Sequence, residues 1–469
     1  MKTNGADPGY MYKINGDANQ TENTTTPYSG ICSRLILSFS VWTNVKKLLN
    51  TDDKPDTIGA INGIRFFSMS WVILAQTFSS ALDSNVFTNQ WSGKTQMFER
   101  HSFMAVSNGF LSVDSLFAMT GILVSYFFMK EMKREKGCIN WFKFYFHRFW
   151  RLTPPYMLVM MVDIALFRYL GDGPMWSPDG IETNFCKDTW WTNPLYINNF
   201  VKSENRCFSW SWYLTNDMQF YVLSPILLVP LYFSKKIGGF IAAIFLVGVT
   251  GASAYISYAN DLPLSRYSSD LAQNTEDYFE MYYIKPYCRM GPYIVGVIFG
   301  YALYRSGGKY KINLVFSRFI WILMSALACV MVYAIYPEMS GSSASAGVTS
   351  LYNAVHKTLW GVCVCWVVFA CVTRNGGFVN SFLSWGVFVP LRRLTYCAYL
   401  VHPLVIASYY QSHRQGFYMT DFNIIYLFLG HLTLTYMVAC VIYLAFQAPL
   451  IGLERAIMRR DKEEEMEEK

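Results

Sequence analysis

Ten stretches of this chain are apolar over a length that can cross a bilayer, and that repetition constrains the fold more than any single motif does. They run approximately over 63–82, 105–127, 153–170, 213–234, 238–256, 288–304, 319–336, 354–373, 394–411 and 424–446. A helix rises about 1.5 Å per residue, so roughly 20 apolar residues match a hydrocarbon core about 30 Å thick. Within lipid the backbone must satisfy its own hydrogen bonds, which makes each stretch a helix. The sequence therefore predicts an all-α polytopic membrane protein, a bundle of about ten transmembrane helices. Composition agrees, because only 15% of residues are charged while 53% are hydrophobic, where a soluble domain carries about 25% charge.

The loops orient the bundle. Of 39 Lys and Arg, 27 lie on the side shared by the two termini, 8 lie in the opposite loops, and four lie in or at the ends of spans. Basic residues concentrate in cytosolic loops, so both termini are expected to be cytosolic. The net charge of +7 is then a matter of topology. No basic patch interleaved with aromatics exists, and nucleic acid is excluded as a partner.

Residues 1–32 read as a disordered polar tail without a cleavable secretory signal, and their sequons at Asn19 and Asn23 would be silent on the cytosolic side. Residues 33–57 read as an interfacial and cytosolic segment. Overlapping its start, 31–49 is too short and too broken by Arg34 to span, and suits an interfacial helix with Lys46 and Lys47 at the surface. Residues 58–455 form the membrane domain, and 456–469 a charged, solvated cytosolic tail. Most cysteines are scattered singly through apolar spans. Cys186 and Cys207 lie instead in the long loop between the third and fourth spans, on the luminal side, where an oxidising compartment makes a disulfide between them an expectation. Cys363 and Cys365 have no histidine partners, so no metal site is expected.

The stretch 61–78, INGIRFFSMSWVILAQTF, places Arg65 at the mouth of an apolar helix and Gln76 eleven residues deeper, about 16 Å along the axis. A polar side chain at that depth is a candidate functional group. The third span is preceded by FHRFWRLTPPY, in which Arg148 and Arg151 are three apart and share a helix face. With Arg65 at the same membrane face, three guanidiniums could bracket the phosphates of a donor from the cytosol. The alternative reading of the pair is ordinary positive-inside anchoring.

INGIRFFSMSWVILAQTF, NGFLSVDSLFAMTGILVSYFF, FHRFWRLTPPY, CFSWSWYLTNDMQFYVLSP, YCRMGPYIVGVIFGY and PLRRLTYCAYLVHP resemble successive blocks of the acyltransferase 3 family. They are most similar to its nose-resistant-to-fluoxetine branch, in family order from about residue 32 to residue 455, without that branch's cysteine-rich luminal amino-terminal region. The resemblance implies transfer of an acyl group from cytosolic acyl-CoA to a hydroxyl of a lipid or luminal acceptor, with no metal and no permanently bound cofactor. Carried over by position, Arg65, Arg148 and Arg151 are the expected ligands of the CoA phosphates. The family's histidine, eleven residues beyond the first arginine, is Gln76 here. A histidine can take a hydroxyl proton at neutral pH and a carboxamide cannot. The family's Glu-x-Pro element corresponds to Gln447, Ala448 and Pro449, again an amide for an acid, and Asn62 stands where much of the wider family has Asp.

Among the six histidines, His402 in LVHP is the candidate alternative base, about nine residues into the ninth span and roughly 13 Å from the cytosolic face. It could equally bond backbone freed by Pro403. His101 and His413 fall in luminal loops, His147 beside the arginine pair, and His356 and His431 in or near spans. Asp114 and Asp217 read as orienting partners, and Trp212 and Tyr213 as aromatic-belt residues. Three functions are thus in view. One is an active membrane O-acyltransferase, and another a catalytically silent relative that binds acyl-CoA or lipid and regulates other membrane or signalling proteins. The third, a small-lipid transporter, lacks the repeated interrupted half-helices expected of one. An endoplasmic reticulum or plasma membrane location is expected.

Overall fold

Two short helices, α1 (Ile31–Ser38) and α2 (Val41–Leu49), precede ten long ones in a computed structural model that describes residues 31–52, 57–177, 180–181, 183–267, 276–307, 310, 312–342 and 344–456. The long helices are α3 (Ala60–Asp83), α4 (Leu111–Arg134), α5 (Trp141–Leu166), α6 (Trp212–Phe233) and α7 (Lys235–Ala259). They continue with α8 (Met290–Ser306), α9 (Leu314–Tyr333), α10 (Ala346–Val372), α11 (Phe388–Gln411) and α12 (Asp421–Ile442). No strand occurs among the described residues. The sequons at Asn19 and Asn23, most of the amino-terminal tail and residues 457–469 lie outside the described residues.

Where one interfacial helix was expected over 31–49, there are two. Ser40 caps the second by accepting from the Thr43 amide, so the chain breaks at Phe39 and restarts. Ile36, Phe39, Val41, Trp42 and Leu49 are exposed, and the Lys46 ammonium sits 4.8 Å from the centre of the Trp42 ring. That is an apolar surface bordered by lysines, suited to the headgroup boundary.

Five helices are long and apolar enough to cross a membrane: α4, α7, α9 with its extension to Met339, α10, and α12 with its extension to Ala456. Burial sorts them: 78% of the apolar window of α4 is inside the protein, against 22% for α7 and 17% for α9. α4 is therefore a central helix, whereas α7 and α9 turn apolar side chains such as Phe240, Val247, Phe319 and Ile322 outward, as lipid contact requires. Of the other five long helices, α8 is short, at 17 residues, and the remaining four, α3, α5, α6 and α11, hold Asn62, Arg65, Gln76, Arg148, Arg151, Asp217 and His402, polar residues that hydropathy penalises.

α4 and α8 pack through small residues. A Cβ added at Gly296 would stand 2.1 Å from the Ala118 carbonyl oxygen, and one at Gly121 would stand 2.3 Å from that of Tyr293. Neither position tolerates a side chain, so glycine lets the two backbones touch. This contact fixes the register that brings Asp114 on α4 beside Arg289, the residue preceding α8.

The chain between α5 and α6 folds back into the bundle. Cys186 and Cys207 are disulfide-bonded, with Cα atoms 4.5 Å apart. The Tyr156 hydroxyl of α5 bonds Asn193 and Ser211 at 2.6 and 2.7 Å, and Asn198 donates to both of those residues. Arg206, fully buried, pairs with Glu280. These side-chain bonds satisfy polar groups in a segment with little regular helix. The result is that α6 starts inside the protein, with Trp212 and Tyr213 buried. The expectation that they form an aromatic belt is overturned. Trp212 packs on Tyr283, and Tyr213 on Phe117 and Tyr399, in the centre of the bundle.

Candidate functional site

Two clusters of ionisable side chains lie in the bundle, and the first turns of α6 connect them. The first cluster contains the sequence-predicted arginines. Arg148 forms an ion pair with Asp217 of α6, and its guanidinium lies 4.6 Å from the centre of the Tyr221 ring. Arg65 is within electrostatic reach of Tyr213, Asp217 and Arg148; Arg151 is within reach of Arg148, Arg65 and Glu454. Three cations from α3 and α5 thus face two carboxylates. Glu454 is itself paired with His147 one turn before Arg151. The excess of positive charge can accept an anion, and planar guanidiniums suit phosphate oxygens.

The placement differs from the sequence reading in one respect. α5 begins at Trp141, so Arg148 and Arg151 stand seven and ten residues into a helix instead of before a span that starts near 153. Aromatic residues of the first two turns, which include Phe142, Phe144 and Phe146, carry the helix outward, and Asn140 caps it by accepting from the Lys143 amide.

Gln76 stays apart from this cluster, eleven residues further along α3. Its amide Nε2 donates to the Ser80 hydroxyl at 2.9 Å. The next residue, Thr77, shares a hydrogen bond of 3.0 Å with Nδ1 of His431 on α12, which brings a buried imidazole onto α3 beside the Gln76 position. Gln447 is buried, and its Oε1 accepts from the Cys397 thiol at 3.1 Å.

His402 is buried in α11, and its Nδ1 donates to the Tyr399 carbonyl at 2.7 Å. That carbonyl is the one Pro403, lacking an N–H, leaves without its helical donor. The bond places the proton of a neutral ring on Nδ1 and leaves the Nε2 lone pair available as a base. α11 starts at Phe388, six residues before the expected span. His402 is therefore about 21 Å along its helix instead of roughly 13 Å.

The second cluster was not assembled from sequence. Asp114 and Arg289 form an ion pair at 3.1 Å, each with side chains only 1% exposed. Arg289 also donates from Nε to the Tyr283 carbonyl at 2.6 Å, and lies 4.1 Å from the Tyr283 ring centre and 4.8 Å from that of Trp212. Lys357 of α10 is buried beside them, with its ammonium 3.4 Å from the centre of the Tyr282 ring and 3.5 Å from the Cys288 carbonyl. A cavity of about 30 Å³ lies among Asp114, Arg289, Lys357, His356, Asn108 and Arg266. His356 stacks on Tyr352 at 4.4 Å. The available signal was three ionisable residues isolated in apolar helices, one acidic and two basic, which must find each other or a cavity.

α6 links the clusters directly. Trp212 lies against Arg289 of the cavity, and Asp217, five residues on, pairs with Arg148. Five helical residues span about 7.5 Å. Among the described residues no group of His, Cys, Asp and Glu could hold a metal ion, and Cys363 and Cys365 are buried and unbridged.

The model of the acyltransferase domain of the acyltransferase 3 family matches residues 58–448. The chain belongs to the acyltransferase 3 family. It is 32% identical over 478 residues to nose resistant to fluoxetine protein 6 of Caenorhabditis elegans, covering 97% of this chain and 58% of that protein. The chain thus spans little more than half the length of that relative. It is 24% identical over 433 residues to regulator of hypoxia-inducible factor 1 of Caenorhabditis elegans, 87% of this chain and 82% of that one. Over 133 residues it is 30% identical to a protein of Staphylococcus aureus (strain COL) named as a candidate O-acetyltransferase, 28% of this chain and 22% of that one. No solved structure matches it. With its apolar helices, family membership makes this an integral membrane protein.

Proposed function

We propose that this protein is a membrane-embedded O-acyltransferase that takes an acyl group from cytosolic acyl-CoA and delivers it to a hydroxyl of a lipid or luminal acceptor. The observation that carries this reading is the convergence of Arg65, Arg148 and Arg151 on Asp217 and Glu454. The cluster has more positive than negative charge, as a site for CoA phosphates needs. The topology adopted is ten spans with both termini cytosolic, which puts the arginines on the donor's side, and a membrane domain over 58–455. The bond broken is the thioester of the donor and the bond formed is the acceptor's ester. The hydroxyl proton passes to a base and the thiolate of CoA takes up a proton. Nε2 of His402, held as a lone pair by the Nδ1 bond, fills the role that Gln76 cannot.

A second reading rests on Gln76 and Gln447, whose amides make hydrogen bonds and exchange no proton. In that reading the chain binds acyl-CoA or lipid and regulates other membrane proteins. The two separate in one assay. Purified protein is incubated with short-chain acyl-CoA labelled in the acyl group and a membrane extract, and free CoA is measured beside labelled product. Turnover by the native chain that is lost in His402→Ala, Arg148→Ala and Arg151→Ala supports the enzyme. CoA binding without turnover supports the regulator. Absence of CoA binding, unchanged by either arginine substitution, overturns both.

A further inference from the structure

We infer that the cavity among α4, α10 and the segments 264–266 and 278–289 is a binding site for a small monoanion, with Lys357 and Arg289 as its cationic floor. Its lining holds three bases, Arg266, Arg289 and Lys357, against one carboxylate, Asp114. Arg289 is matched by Asp114 at 3.1 Å. Arg266, half-exposed at the mouth, is matched by Asp83 at 3.3 Å. Lys357 has no carboxylate within ion-pair distance among the described residues; its partners are a carbonyl at 3.5 Å and the face of Tyr282. Of the carboxylates on adjoining segments, Glu338 accepts from the Leu264 amide at 3.0 and 3.2 Å and Glu280 pairs with Arg206.

A buried lysine with no carboxylate at ion-pair distance either gives up its proton or needs a compensating anion. Here the compensation has a space beside it. A water needs about 10–15 Å³ of such volume, so about 30 Å³ has room for one chloride ion or one carboxylate group. Asn108 and the half-exposed Arg266 line the path outward, so the anion can arrive free or as the terminus of a larger molecule. The aromatic faces of Tyr282, Tyr283 and Trp212 hold the cations in place without neutralising them.

The test reads binding alone, so a chain that turned over no acyl-CoA would still pass or fail it. Purified protein in neutral detergent is melted in HEPES with isethionate, whose sulfonate is bulkier than chloride or a carboxylate, and which is replaced stepwise by chloride or by acetate at constant ionic strength. A ligand that binds only the folded state raises the melting temperature with its concentration. The native protein and Lys357→Arg should respond, and Lys357→Met should need at least roughly tenfold more anion, the effect of about 1.4 kcal/mol of lost attraction. Asp114→Asn, if it folds, should respond at lower concentration, because it removes the competing carboxylate that the described residues place in the lining. A response to chloride alone identifies a halide site, and one to acetate identifies a carboxylate site; either supports the proposal. No response to both in the native protein, or an equal response in Lys357→Met, overturns it.

Discussion

Asp217 binds Arg148 through Oδ2, while its other oxygen, Oδ1, and Nε of Arg148 are buried without hydrogen-bond partners among the described residues. The pair is thus half-used, and Asp217 is the carboxylate that faces both Arg148 and Arg65. Asp217→Asn keeps the shape and removes the charge. Breaking a buried pair by losing one partner costs about 3–5 kcal/mol, so the melting temperature in detergent should fall. CoA, by supplying phosphates to the freed guanidiniums, should restore it at a lower concentration than the native protein requires. Thermal unfolding with and without CoA checks both. An unchanged melting temperature would mean that Asp217 does not hold the cluster.

Gln76→His tests whether the lost proton acceptor is what limits chemistry. The new imidazole would occupy the site from which Gln76 donates to Ser80, and it would add a group titrating near neutral pH. General-base assistance contributes typically 10²- to 10⁴-fold. With His402 serving as the base, initial rates of CoA release should change little and should still be lost in His402→Ala. A rise within that range, with a new acid limb near the imidazole pKa, would show that the native chain lacks an effective base.

Much of this architecture was readable from the chain because the membrane permits few solutions. Apolar runs locate the long helices to within a turn or so at most ends, and Arg148 and Arg151 stand out because RxxR is polar in an apolar setting. What the sequence hides is who meets whom. Asp114, Arg289 and Lys357 are separated by 175 and 68 residues, and only the glycine contact of α4 with α8 brings the first two together. Trp212 misleads for a related reason. An aromatic at a predicted span end signals a headgroup belt, but the preceding segment folds inward and carries that end into the bundle. The extra length of α5 and α11 was missed because charged residues within the first three turns of each, Lys143 and Arg148 in α5 and Arg392 and Arg393 in α11, lower hydropathy without breaking the helix.

The Asp114–Arg289 pair yields a prediction about sign. Asp114→Leu alone leaves a buried guanidinium, and Arg289→Met alone leaves a buried carboxylate; each should destabilise by about 3–5 kcal/mol. The double substitution replaces both charges by apolar groups, and such replacements are often neutral. The double variant should therefore melt above either single variant. Melting temperatures of the four proteins close the cycle, and additive losses would show that the two side chains are not coupled.

The contact of α4 with α8 can be tested against a glycine of the same chain. A methyl at Gly296 would lie 2.1 Å from the Ala118 carbonyl oxygen, a backbone atom that cannot rotate away, whereas one at Gly239 on α7 meets nothing within 4 Å. Gly296→Ala must part the two helices, and with them Asp114 from Arg289; overpacking of this kind costs typically about 1–3 kcal/mol. Gly239→Ala should gain up to about 1 kcal/mol from helix propensity alone. The two substitutions are chemically identical, so opposite shifts in melting temperature isolate the close approach as the cause. A Gly296→Ala protein as stable as the native one would show that the helices need not touch there, and would remove the basis for the register that builds the cavity.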